Sequence, residues 1–336
     1  MDTPPAHDLR AVAAREWAAG RIAMPVARFE PASADASFRR YFRLTDVGGR
    51  TLIVMDAPPQ YEDCRPFVSI AAQMRGAGLH VPEVLASDLS QGFLLLGDLG
   101  RQTFLDVLEP HNADALFEAA IDALLLWQRA SRPGELPAYD AALLQREMAL
   151  FPEWYLGRHL AVRLSKAENE ALDAVRLALV ERALAQPQVY VHRDYMPRNL
   201  MLSAPNPGVL DFQDAVEGPL AYDVISLFRD AFMSWPAERV DGWLRLYHQR
   251  ASDAGLPVPP LETFLVDCDW IGLQRHLKVL GIFARLTYRD GKPKYLADTP
   301  RFVAYVMAVA PRYPQLKPLA EIFERHVLPR VSNDAA

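Results

Sequence analysis

The sequence predicts an α+β protein of two lobes, a small strand-rich N-terminal lobe and a larger helical C-terminal lobe. Three observations predict it. Short apolar and aromatic runs dominate the first third of the chain. Helical periodicity dominates from residue 101 onward. The glycine-flanked segment Gly97-Asp98-Leu99-Gly100 separates the two patterns. The expected division is therefore residues 1–99 and 100–336.

Residues 8–20 read as a short amphipathic helix, with Leu9, Val12, Ala13 and Trp17 at helical spacing. Ser37 to Leu44 is aromatic and strand-like, and Gly48-Gly49 suits a tight hairpin turn. Thr51 to Met55 is the returning strand. Residues 63–77 carry Phe67, Ile70, Ala71 and Met74 in a helical pattern that Gly76 and Gly78 end. Val81 to Ala86 and Phe93 to Leu96 are further short strands. Helices are expected over 101–185 and 220–326, interrupted by the strands Val189 to Val191 and Val209 to Leu210. The chain end from about Ser332 reads as frayed.

Composition narrows the class. The chain has 336 residues, 51% hydrophobic and 23% charged, enough to bury a core without disulfides or a structural metal. Its two cysteines, Cys64 and Cys268, form no framework or zinc spacing and fit a reducing cytoplasm. A net charge of −6 argues against a nucleic-acid partner. The N-terminus lacks a signal-peptide pattern, and no run of apolar residues is long enough to span a membrane. Nothing in the sequence implies an obligate protein partner.

The chemistry concentrates after Val189-Tyr190-Val191. That strand leads into His192-Arg193-Asp194-Tyr195-Met196-Pro197-Arg198-Asn199. Asp194 stands where a carboxylate meets a substrate hydroxyl, and Asn199 offers an amide oxygen five residues on. The strand Val209-Leu210 then delivers Asp211, 17 positions after Asp194, with Phe212 to pack behind it. Phosphoryl transfer from ATP needs these parts: a group that takes the nucleophile's proton, and oxygen ligands that hold Mg2+ against the phosphates. The competing reading makes Asp194 a helix cap and Asn199 a turn residue.

With these residues the chain resembles the protein-kinase-like phosphotransferases, in the aminoglycoside-phosphotransferase and choline-kinase branch. More narrowly it resembles bacterial anomeric sugar kinases acting on N-acetylmuramate and N-acetylglucosamine. The resemblance spans most of the chain. It is carried by residues 36–43 (ASFRRYFR), 92–100 (GFLLLGDLG), 211–215 (DFQDA) and 272–281 (GLQRHLKVLG). It implies a bilobal protein-kinase-like fold and an ATP-dependent enzyme that makes a sugar 1-phosphate in peptidoglycan recycling. It also implies Asp194 as base, Asn199 and Asp211 as magnesium ligands, and adenine against the backbone of Gly97, Asp98 and Leu99. Aminoglycoside, choline or fructosamine kinases remain alternatives, as does a non-catalytic nucleotide binder.

The sequence departs from this family in two places. Protein kinases carry a phosphate-binding lysine on the third strand, where this chain has Met55. Residues 34–37 hold the phosphate-loop position without glycine, leaving the Ser37 hydroxyl as a phosphate donor or a plain turn residue. Strand alternation sets Arg39, Tyr41 and Arg43 on one face and Phe38, Arg40 and Phe42 on the other. Arg39 or Arg43 is thus a candidate to serve the phosphates, or both are solvated. Glu62 and Asp63 either orient such an arginine or face the following helix dipole.

Met196 replaces the basic residue that protein kinases commonly carry, which argues against a protein acceptor. Arg198 either approaches the transferred phosphate or pairs at the surface. Gln213, Asp214 and Glu217 are candidates for the acceptor site. Asp223 opens a helix over 224–232 and caps it or anchors the catalytic loop. Trp154, at the end of a helix from about 140 with Tyr155, stacks on a sugar or joins the core. Arg275 and Lys278 share a helix face that either receives an acidic sugar or is solvated, and His276, off that face, reads as structural.

Overall fold

The computed structural model describes residues 8–34 and 38–331. The chain is α+β and bilobal, with a sheet in the N-terminal lobe and helices in the C-terminal lobe, as in protein kinases. It divides into two compact units. One is Met1–Leu108 with Arg198–Asp214, and the other is Glu109–Pro197 with Ala215–Ala336. Ser37 and the chain end from Ser332 lie outside the described residues.

The first unit starts with α1 (Leu9–Ala19), capped by Asp8, whose carboxylate accepts from the Ala11 amide at 3.0 Å. Strands β1 (Val26–Ala34), β2 (Arg40–Asp46) and β3 (Thr51–Asp56) follow. Helix α2 (Arg65–Gly76) and strands β4 (Val84–Asp88) and β5 (Phe93–Gly97) complete the sheet, which runs β1-β2-β3-β5-β4 and is antiparallel throughout. The β2–β3 turn takes its positive φ at Gly49 and is closed by Asp46, which accepts from Gly48 and Arg50. The sequence pattern missed β1 and carried β2 over Phe38 and Arg39, which precede it. β1 contains Pro31 and two register shifts, which an edge strand tolerates because its outer side needs no ladder donor.

One sheet face is closed by α1. Ala11, Ala14, Trp17 and Ala18 form a core with Phe29, Phe42, Leu44, Leu52, Val54, Phe93 and Leu95. Each large side chain buried there contributes roughly 1.5–3 kcal/mol. Asp56 is fully buried at the edge of this face and is held by Arg10 and Arg40, its Oδ1 2.9 Å from Arg10 Nε and its Oδ2 3.0 Å from Arg40 Nε. Arg10 belongs to α1, so this ion pair ties α1 to β2 and β3. A short helix, α3 (Phe104–Val107), ends this stretch of the unit.

The second unit begins with α4 (Ala113–Arg129) and α5 (Ala141–Met148). A π-helical segment, Phe151–His159, follows, so Trp154 and Tyr155 sit within it and not at the end of α5. α6 (Lys166–Ala185) is opened by a reciprocal Ser165–Glu168 cap. β6 (Gln188–Val191) leads to the candidate catalytic loop. The chain then returns to the first unit for β7 (Leu200–Met201) and β8 (Gly208–Val209), which pair with each other.

The remainder of the second unit holds β9 (Val216–Pro219), α7 (Tyr222–Phe228), α8 (Ala237–Asp253), α9 (Leu261–Tyr288), α10 (Thr299–Val309), α11 (Lys317–Ile322) and α12 (Leu328–Val331). β9 pairs antiparallel with β6, Val191 opposite Val216. The pattern did not foretell β9, since Val-Glu-Gly-Pro has neither length nor alternation. α9 is the axis of this unit. It packs against α5, α6, α7, α8, α10 and the 151–159 segment, and it is buried on every side from Asp267 to Gly281.

Candidate active site

The loop after β6 is held from behind by Asp223. This carboxylate is fully buried in the first turn of α7 and accepts from the His192 amide at 2.6 Å and the Arg193 amide at 3.0 Å. The β6–β9 ladder and the short step into α7 bring Asp223 there. Burial pushes its carboxyl up, to about 7, against the pull of those two amides. Anchoring, one of the two roles weighed for Asp223, is the one the geometry gives it. The Tyr195 hydroxyl donates to the Ala120 carbonyl at 2.7 Å, and the His192 and Tyr195 rings meet edge to face. Asp194 is thus bracketed by fixed neighbours, and it remains half-buried.

Arg193 has a φ of 76° and Asp211 one of 62°. Left-handed backbone at a non-glycine residue costs about 1–2 kcal/mol and persists where surroundings enforce it, often at functional sites. At Arg193 the enforcement is visible. Its guanidinium Nη2 lies 2.5 Å from Oε1 of Glu147 on α5, and Glu147 also meets Lys278 at 3.1 Å. The Tyr139 hydroxyl and the Gln274 amide donate to Oε2 of Glu147. Burial alone would raise this carboxyl, but Lys278 and Arg193 outweigh it and hold it at about 2.

Sequence reasoning missed Glu147. The available signal was an acidic residue on the same α5 stripe as the buried Leu144 and Met148. Lys278 and Arg275 are both buried, at 6% and 2% exposure, so neither belongs to a solvated basic face. Lys278 also donates to the Tyr222 hydroxyl at 3.1 Å, and Arg275 donates to the Arg229 carbonyl at 3.4 Å. His276 is buried against Phe302 and Tyr305. Burial lowers its basicity well below the usual range, which fits its structural reading.

Asn199, Asp211, Gln213 and Asp214 all fall in the first unit. The Leu210 amide donates to the Asn199 carbonyl at 2.9 Å, and the Asn199 side-chain amide lies 3.5 Å from Asp211 Oδ2. Phe212 is fully buried and packs against Phe67 of α2, the rings tilted with their centroids 4.8 Å apart, the packing expected of it. Gln213 donates to Asp211 Oδ1 at 2.8 Å, which orients that carboxylate, while Asp214 is exposed. Among the described residues no cluster of three or more His, Cys, Asp or Glu side chains gathers to hold a metal. One carboxylate and one amide oxygen fit magnesium, which takes few protein ligands and fills its octahedron with phosphate and water oxygens.

Of the two arginines flanking Tyr41, Arg43 is committed to Asp98. Its Nε lies 2.6 Å from Asp98 Oδ2, and its Nη2 reaches Asp98 Oδ1 at 3.0 Å and the Gly100 carbonyl at 2.5 Å. Burial would raise the Asp98 carboxyl, but Arg43 and the Gly100 amide hold it below the usual range. The pair fixes the segment Gly97-Asp98-Leu99-Gly100. Arg39 instead ion-pairs with Glu62 at 3.3 Å. Elsewhere, Glu217 accepts from the Gly134 amide at 2.8 Å, Trp154 is half-buried, and Arg198 is half-buried.

A small sheet lobe, a helical lobe, and an Asp194–Asn199–Asp211 series along the chain together define a phosphotransferase of the protein-kinase-like class. The chain belongs to the phosphotransferase enzyme family, whose model matches residues 28–258. It is 58% identical over 300 residues to the N-acetylmuramate/N-acetylglucosamine kinase of Pseudomonas aeruginosa, covering 89% of this chain and 88% of that protein. The protein of the same name from Caulobacter vibrioides is 32% identical, with coverages of 89% and 92%. Among solved structures the fold matches an ADP-bound aminoglycoside phosphotransferase at a TM-score of 0.59 and 14% identity, covering 88% and 96% of the two chains. It also matches Plasmodium vivax ethanolamine kinase at 0.61 and 9%, covering 82% and 81%. The fold is therefore that of ATP-binding kinases. Among the described residues no helix is long and apolar enough to cross a membrane.

Proposed function

We propose that the protein transfers the γ-phosphoryl group of ATP to the anomeric hydroxyl of N-acetylmuramate or N-acetylglucosamine, forming the sugar 1-phosphate for peptidoglycan recycling. The observation that carries the chemistry is the loop pinned by Asp223, which holds Asp194 as the only carboxylate between β6 and Asn199. The names of the relatives at up to 58% identity support the acceptor.

Asp194 orients the sugar hydroxyl and takes its proton as the new oxygen–phosphorus bond forms. The bond from the γ-phosphorus to the bridging oxygen breaks, and that electron pair leaves with ADP. Asn199 and Asp211 would hold magnesium, which when bound would neutralise charge on the phosphates. Gln213 keeps the Asp211 carboxylate oriented. The backbone of Gly97, Asp98 and Leu99 receives adenine, with Arg43 fixing that segment through Asp98. Reliance on ATP assigns the reaction to the cytoplasm.

The test is turnover of magnesium-ATP with N-acetylmuramate, N-acetylglucosamine, choline and an aminoglycoside, with the phosphorylated carbon read by NMR. Phosphate on the anomeric carbon of either amino sugar is the expected result. Turnover of choline or the aminoglycoside alone overturns the acceptor. Asp194→Asn should lower turnover by about a thousandfold while ATP still binds. Undiminished turnover in that variant removes Asp194 as the base.

A further inference from the structure

The kinase reading leaves one charge unaccounted for. Met55, fully buried on β3, stands where a strand lysine would meet the ATP phosphates. The geometry points to Arg39, held by Glu62, as the cation that binds those phosphates in its place.

Four observations converge on this residue. First, β2 and β3 pair with Tyr41 opposite Met55, so these two side chains lie on the same face of the sheet. Arg39 lies just before β2, two residues ahead of Tyr41; its neighbour Arg40 turns to Asp8 and Asp56 on the side that α1 covers, and Arg39 turns to Glu62 instead. Arg39 thus emerges diagonally from the place of the missing lysine.

Second, Arg39 has a dedicated carboxylate. Glu62 Oε2 lies 3.3 Å from Arg39 Nε, and Glu62 Oε1 accepts from the Phe38 amide at 3.2 Å. Glu62 therefore fixes both the guanidinium and the backbone that carries it. Both side chains are largely buried, at 13% and 17% exposure, so the pair is not a solvated surface bridge. Third, the guanidinium lies within the field of Asp211 and Asp214, in the same unit. Asp211 is the candidate metal ligand, so the charge on Arg39 is felt at the candidate magnesium site. Fourth, the other candidate is already engaged, since Arg43 is locked to Asp98 and Gly100 at the far end of the same face.

A planar guanidinium suits this duty, because its donors match two phosphate oxygens at once. The inference rests on the kinase reading, so its test reads nucleotide binding and not sugar turnover. Magnesium-ATP and adenosine affinities are measured by calorimetry on the wild-type chain, Arg39→Met, Arg39→Lys and Glu62→Gln, with thermal melts as a folding check. Arg39→Met should weaken ATP binding by about tenfold to a hundredfold and leave adenosine binding unchanged. Arg39→Lys should recover part of the loss, because the charge remains. Glu62→Gln should show the same selectivity at smaller size. Wild-type ATP affinity in Arg39→Met overturns the inference, as does an equal loss for ATP and adenosine. If the wild-type chain itself binds no ATP, the kinase reading fails instead.

Discussion

The Lys278 ammonium lies 3.1 Å from Oε1 of Glu147, and both side chains are only 8% exposed. The same oxygen meets Arg193, the residue before Asp194. A carboxylate on α5 thus joins a lysine on the central helix α9 to the candidate catalytic loop. Two cations, the Tyr139 hydroxyl and the Gln274 amide share its two oxygens. Buried charge survives only where it is paired and hydrogen-bonded in this way.

Glu147→Gln should take from the buried Arg193 and Lys278 the counter-charge that Glu147 supplies. The expected cost is about 3–5 kcal/mol of stability, read by urea unfolding. Turnover should fall about tenfold or more, because the left-handed Arg193 backbone loses one of its restraints. ATP affinity should hold, since Asn199, Asp211 and Gly97 to Leu99 lie in the other unit. Adding Lys278→Met should restore part of the stability and none of the turnover. Full turnover in folded Glu147→Gln would exclude this positioning role.

The same carboxylate predicts a pH dependence. Glu147 is held at about 2 in the folded chain, below its ordinary 4.5, so folding favours its ionised form. Its contribution is complete above pH 4.5 and is lost as pH falls from 4.5 through about 2. The stability difference between the wild-type chain and Glu147→Gln should therefore be constant near neutrality and narrow in that acid window. Asp223 is shifted the opposite way, but it is common to both proteins and cancels. A difference that stays constant from pH 6 to pH 3 would contradict the assignment.

Gly281 on α9 is where that helix meets the start of the 151–159 segment. A Cβ there would lie 2.4 Å from the Leu150 carbonyl carbon and 2.6 Å from its oxygen. Backbone cannot rotate away, so Gly281→Ala should force the two elements apart at a cost of about 1–3 kcal/mol, seen as a lowered Tm. Gly272, also on α9, would meet the Ile225 side chain at 3.3 Å, which has room to adjust. Gly272→Ala should be the milder change. Equal melting temperatures for the two variants would show that the α9 contact at Leu150 is looser than these distances.

The strand-to-helix change, the loop from His192 to Asn199 and Asp211-Phe212 were legible because each depends on local pattern: alternation, period and short spacing. β1 and β9 were not, since each owes its extended form to a partner strand and not to its own residues. Alternation correctly set Tyr41 and Arg43 on one face of β2, while Arg39 lies just before the strand. It had no means of assigning Arg43 to Asp98, 55 residues away, or Arg39 to Glu62.

Lys278 and Arg275 make the same point at larger scale. Read along the chain they are two cations three residues apart, equally suited to water or to an acidic ligand. Burial of α9 on every side removes the water, and the Lys278 ammonium then requires the carboxylate that α5 supplies. The sequence by itself determined the class of fold and the order of the candidate catalytic groups along the chain, because both are written in neighbouring residues. Only the tertiary structure decided which charges face one another, because the cost of burying an unpaired charge is settled by distant parts of the chain.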